Sequence, residues 1–167
     1  LGVNAIQPGV VAATIGTSGA IRTVVDRPMT DPKGRIFCYA LTEKHWVIGG
    51  AVNNGGMIFR WVRDEFAASE IETAKRLGIN PYDVLTKIAD RIPPGSNGLL
   101  FHPYLTGERA PLWDPNARGS FFGLTLNHQK EHMIRSVLEG VIFNMYTVLL
   151  AMDEQMGHPA KIHATGG

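Results

Sequence analysis

The sequence predicts an α/β domain in which a mixed sheet packs with helices, and three observations predict it. Short β-branched runs separated by turn residues open the chain. The apolar period then lengthens to that of a helix. Isolated strand-like runs return late, between and after helical segments. At 167 residues, 44% hydrophobic and 19% charged, with a formal net charge of +1, the chain has the composition of a globular protein with a sizeable core.

Four strands are expected first, at Val10–Ile15, Ala20–Val25, Arg35–Leu41 and Trp46–Ile48. They are divided by Gly16-Thr17-Ser18-Gly19, by Asp31-Pro32-Lys33-Gly34 and by Glu43-Lys44-His45, which reads as a meander. From Asn54 the pattern is helical, with Ile58, Val62 and Phe66 on one face and Asn53 or Asn54 available as a cap. Shorter helices follow around Glu70–Leu77 and Pro81–Arg91, the latter ended by Pro93-Pro94-Gly95. Leu99–Phe101 reads as a buried strand, followed by a polar loop to about Gly119. A long helix from about His128 to Met156 places Met133, Val137, Val141, Met145 and Leu149 on one stripe, and Lys161–Ala164 is a closing strand. With no repeat or linker, one domain is the economical count.

Composition excludes several classes. No basic stripe marks a nucleic-acid partner, and no apolar run is expected to reach the roughly 20 residues that span a bilayer. The single cysteine, Cys38, excludes an internal disulfide and points to the cytoplasm. Leu1 in place of Met, and a final strand running into Gly166-Gly167, make a piece of a longer protein the expectation.

The first functional signal is Thr14-Ile15-Gly16-Thr17-Ser18-Gly19-Ala20-Ile21. A small-residue turn between two strands lets a polyanion approach the backbone, and the Thr17 and Ser18 hydroxyls add donors. An isolated turn of this kind also serves as an ordinary hairpin. A second signal is His128-Gln129-Lys130-Glu131-His132, which formally matches the H-x-x-E-H zinc pattern. Its place at a polar helix start, with Glu139 and Glu154 as acidic candidates further along that helix, argues against a metal.

A longer pattern decides between these signals. Gly107-Glu108-Arg109-Ala110-Pro111, Asp114-Pro115-Asn116-Ala117-Arg118-Gly119, Phe121-Phe122-Gly123-Leu124 and Arg135-Ser136-Val137-Leu138-Glu139-Gly140 stand in order. Together they resemble the signature region of the FGGY carbohydrate kinases. The resemblance covers essentially the whole chain and implies the C-terminal half of an actin-like (ribonuclease H-like) ATPase fold. It implies transfer of the γ-phosphoryl group of ATP, with Mg²⁺, to a hydroxyl of a sugar, polyol or sugar acid.

Within the family, the opening Leu1-Gly2-Val3-Asn4-Ala5-Ile6-Gln7-Pro8-Gly9 looks most like gluconate-phosphorylating members, with xylulose and glycerol kinases as alternatives. The resemblance implies phosphate contacts at Gly16 and Thr17 and at Gly56, where a helix N-terminus suits an anion. It also implies a nucleotide contact at Arg60, in competition with an i,i+4 pair to Asp64, and the start of an adenosine motif at Gly166 and Gly167.

The implied partners are a carbohydrate and the protein's own N-terminal domain, with a homo-oligomer also allowed. The family's catalytic aspartate matches none of the fifteen acidic residues here, so the chain alone is expected to be inactive. Glu108, Arg109, Asp114 and Arg118 read either as charges at the sugar cleft or domain hinge or, the favoured reading, as salt bridges tying a rigid loop to the domain. A non-catalytic actin-like interaction module is the third class weighed.

Overall fold

The computed structural model describes residues 2–166. Its main sheet contains β1 (Val10–Ile15), β2 (Gly19–Val25), β3 (Phe37–Thr42), β4 (His45–Val52) and β7 (Lys161–Gly166), in the order β3-β4-β2-β1-β7. β7 runs parallel to β1, and the other pairings are antiparallel, so the sheet is mixed as expected.

The expected meander is corrected, because β4 lies between β2 and β3. Burial explains the order. His-Trp-Val-Ile-Gly-Gly-Ala-Val in β4 is small and apolar on both faces and is buried from Val47 to Gly50, which suits an inner strand. Phe37–Thr42 is partly or wholly exposed at every position, which suits an edge.

The helical part comprises α1 (Gly56–Phe66), α2 (Ala68–Leu77), α3 (Pro81–Ala89) and α4 (Lys130–Met156), with a small ladder of β5 (Leu100–His102) and β6 (Ser120–Phe122). Ile58 and Val62 of α1 are buried as the period predicts, whereas Phe66 is 44% exposed and packs its ring edge against Trp61. Neither Asn53 nor Asn54 caps α1. Gly55 occupies that position, and the asparagines bond to the loop after β5. α2 ends at Gly78 in the left-handed conformation, while Asn80 and Pro81 start α3 as cap and first residue.

α4 ties two cores together. Its N-terminal half sends Ile134, Val137 and Val141 among Ile58, Val62, Leu85, Ala89 and Phe101. Its C-terminal half lays Met145, Val148, Leu149 and Met152 on the sheet face of Val11, Ile21, Ile48 and Val52. Full burial of one such aliphatic side chain is worth about 1.5–3 kcal/mol. The expectation that no apolar run approaches membrane-spanning length needs correction. α4 is long and apolar enough by length and composition, with 44% of its most apolar window buried, and its outer face exposes Ile142, Phe143, Tyr146 and Leu150.

An ionic clip closes the β2–β3 connection onto the end of α4. The Arg35 guanidinium donates to both carboxylate oxygens of buried Asp31, at 2.8 Å each, and to Glu154 at 2.9 and 2.6 Å. These hydrogen bonds from Arg35 hold the Asp31 carboxyl well below the usual range and lower that of Glu154 to about 2. Both folded pKa values are depressed. The clip therefore contributes fully above the ordinary carboxylate range; the Glu154 part is lost as pH falls from about 4 to about 2, and the Asp31 part persists to lower pH. Thermal unfolding across that window is expected to fall more steeply for the wild-type protein than for Arg35→Gln. Equal slopes would show that the clip adds nothing.

Candidate functional site

The sequence around the first turn folds so that backbone meets backbone. β1 and β2 run in register to Ile15 and Gly19, leaving Gly16, Thr17 and Ser18 as an exposed turn at one end of the sheet. Among the described residues, neither the amides nor the hydroxyls of Thr17 and Ser18 have a hydrogen-bond partner. Four unpartnered donors thus sit on a turn open to solvent.

The start of α1 lies against this turn. The N–H of Gly56 donates to the Gly16 carbonyl at 2.7 Å, and those of Gly55 and Met57 donate to the Thr17 carbonyl at 3.2 Å. This corrects the expectation that the first amides of α1 are free for an anion, since they hold the turn instead. Gly56 is required for the approach: a Cβ there would stand 2.8 Å from the Gly16 carbonyl oxygen.

Turn and helix form one end of a cleft of about 890 Å³. Its floor is Ile15, Gly16 and Thr17 with the end of β7, Ala164 to Gly166. One wall is Gly56, Met57, Phe59 and Arg60 of α1, and the far wall is Asn80 and Tyr82. Gly166 has φ +125°, and it closes β7 against the backbone of Ile15. Gly167 lies outside the described residues. Five of the six expected site residues, Gly16, Thr17, Gly56, Arg60 and Gly166, therefore line a single cleft.

The competing reading of Arg60 is not realised. Asp64 pairs with Arg63 at 2.6 Å, and Arg60 is exposed with no carboxylate in ion-pairing range among the described residues. The residues that sequence reasoning missed are Phe59, Asn80 and Tyr82. The Phe59 and Tyr82 rings lie 5.3 Å apart, and the Arg63 guanidinium sits 5.2 Å from the Tyr82 ring centre. Asn80 accepts the Tyr82 N–H at 3.0 Å, which orders the corner between α2 and α3. Asn-Pro-Tyr reads locally as a helix start, and only the tertiary approach of α3 to α1 makes it a cleft wall.

The histidines of the zinc-like pattern are used as caps. His132 Nδ1 accepts the Gln129 N–H at 3.1 Å, and its Nε2 meets the Asn97 side chain, while His128 Nδ1 accepts the Thr125 N–H. Among the described residues no three metal-ligating side chains gather. In the signature loop Glu108 is buried, Arg109 donates to the Val52 carbonyl, and Arg118 donates to the carbonyls of Pro115 and Ala117. Asp114 caps Asn116, so Glu108 and Arg109 tie the loop to the domain by hydrogen bonds, whereas Asp114 and Arg118 bond within the loop, and the expected salt bridges do not form among the described residues.

A mixed sheet with a donor-rich turn at the end of β1, a parallel strand ending in glycine beside it and helices walling the cleft has the architecture of one half of an actin-like fold. Residues 11–167 match the C-terminal domain of the FGGY family of carbohydrate kinases, and the chain belongs to that family. It is 74% identical to the gluconokinase of Bacillus subtilis (strain 168) over its full length, and it spans 33% of that protein. Among solved structures it is 48% identical to the gluconate kinase from Lactobacillus acidophilus, with TM-score 0.88, covering 99% of this chain and 32% of that one. The ligand-bound xylulose kinase from the same organism gives 48% identity and TM-score 0.89 over the same shares.

Proposed function

We propose that this chain is the nucleotide-binding part of an ATP-dependent kinase that phosphorylates gluconate. The observation that carries the reading is 74% identity to a gluconokinase along the whole chain. The cleft supports the ATP side. Donors at Thr17 suit a phosphate chain, Arg60 adds an unpaired cation, and the Phe59–Tyr82 wall offers an aromatic surface for a base.

Phosphoryl transfer consists largely of positioning and charge stabilisation. In this reading the turn fixes the phosphates, while Gly166 and Gly167 flank the adenosine. Among the described residues no carboxylate lines the cleft, so this part of the protein offers Mg²⁺ no carboxylate ligand there. The base that orients the acceptor hydroxyl and most of the sugar pocket belong to the N-terminal domain, which makes the isolated chain inactive. The compartment we assign is the cytoplasm.

The test is ADP release by the full-length protein with Mg·ATP and D-gluconate, xylulose, glycerol or no acceptor. Gluconate-dependent turnover is expected. Turnover with xylulose alone would favour the second reading, which the xylulose kinase of equal sequence identity and TM-score 0.89 motivates. Silence with every acceptor would move the chain to the interaction modules.

A further inference from the structure

We propose that Glu108 is a positioning residue for the nucleotide cleft: its carboxylate fixes the segment Asn53–Gly56 and, through it, the turn at Gly16 and Thr17. The proposal rests on reading the cleft as an ATP site. Glu108 is 2% exposed, and none of the ion pairs among the described residues involves it. A buried carboxylate is costly unless hydrogen bonds replace its water. Here four N–H groups do so.

One oxygen accepts the backbone N–H of Asn53 at 2.5 Å and that of Arg109 at 2.8 Å. The other accepts the side-chain amides of Asn54 at 3.1 Å and Asn144 at 2.8 Å. Three separate parts of the chain therefore meet on one anion: the end of β4, the loop after β5 and the middle of α4.

The route from this anion to the cleft is short. Asn54 is wholly buried. Its amide N–H₂ also donates to the Gly107 carbonyl at 2.7 Å, and its oxygen accepts from the Thr106 amide and hydroxyl. The next three residues are Gly55, Gly56 and Met57, whose amides hold the carbonyls of Gly16 and Thr17. Two glycines joining β4 to α1 are flexible by themselves, and the bonds to Glu108 just before them supply the missing restraint.

Asn144 adds a second sign that the geometry is built around the anion. It is 3% exposed and its Oδ1 has no partner, so the bond to Glu108 is the one that orients its side chain. An apolar side chain would fill this space without needing any donors.

The test is steady-state kinetics of the full-length kinase carrying Glu108→Gln, Asn144→Ala or Arg35→Gln. Glu108→Gln keeps the shape, and a flip of the Asn144 amide turns its free Oδ1 to the new N–H, so the hydrogen bond removed is the one from Asn54. The KM for ATP is expected to rise about tenfold while the KM for gluconate stays within about twofold. Asn144→Ala is expected to raise the ATP KM less, in the same direction. Arg35→Gln weakens a remote clip and lowers the melting temperature with both KM values in place.

An unchanged ATP KM in Glu108→Gln and Asn144→Ala, an equal rise in both KM values, or a matching rise in Arg35→Gln would overturn the proposal. Where Glu108→Gln does not fold, Asn144→Ala decides by the same criterion. A wild-type enzyme with no ATP dependence would overturn the cleft reading and this proposal with it. Normal ATP saturation beside unresponsive variants would overturn this proposal alone.

Discussion

Gly56→Ala in the full-length kinase is expected to lower kcat/KM for ATP about a hundredfold. The added methyl has no room, because its carbon would lie 2.8 Å from the Gly16 carbonyl oxygen, a backbone atom that cannot rotate away. Either α1 withdraws or the turn does, and both break the 2.7 Å bond from the Gly56 N–H to Gly16. A displacement on the order of 1 Å at a site that works by alignment has effects of this size. The variant should still fold, because Gly56 is exposed and lies outside both cores. Its gluconate KM and melting temperature should change little. Kinetics with ATP varied at saturating gluconate, beside a thermal melt, check this. An unchanged ATP KM would place the phosphates elsewhere.

Thr17→Ala is the second large effect. It removes a hydroxyl that has no partner within the described residues and faces the proposed phosphate position, while the Thr17 amide remains. A hydrogen bond to a charged group is worth about 1.5–3 kcal/mol, so kcat/KM for ATP should fall roughly tenfold to a hundredfold. Thr17→Ser keeps the hydroxyl and should recover most of the loss. Because Thr17 is exposed, neither variant should alter the melting temperature measurably. Recovery by serine separates a lost donor from a disturbed turn. Failure of serine to recover activity would assign the effect to the backbone.

Much of the fold was legible because its strongest elements carry their own periodicity. β1 falls at Val10–Ile15 as expected, and α4 carries Val137, Val141, Met145 and Leu149 into the cores along the expected stripe. The order of β3 and β4 was not legible. A hairpin reads the same along the chain whichever of its strands turns inward, and only the burial of Val47 to Gly50 against the exposure of Tyr39 to Thr42 decides it.

The site divides similarly. Gly16 and Thr17 were visible because a turn of small residues has a local cause. Tyr82 was not, since its part in the cleft depends on α3 packing beside α1. The burial of Glu108 was also invisible, because a carboxylate in a loop gives no local indication that four distant or neighbouring N–H groups will surround it.

The position of the cleft between the two cores has a mechanical consequence. Thr17 belongs to a sheet end supported by one core, and Tyr82 to a helix supported by the other, while the only long element shared by both among the described residues is α4. A nucleotide bridging the two would act as a further strut, stiffening a seam otherwise braced by α4 and by the bonds from the start of α1 to the turn. Saturating ATP should therefore slow amide exchange at the seam as well as raise the melting temperature.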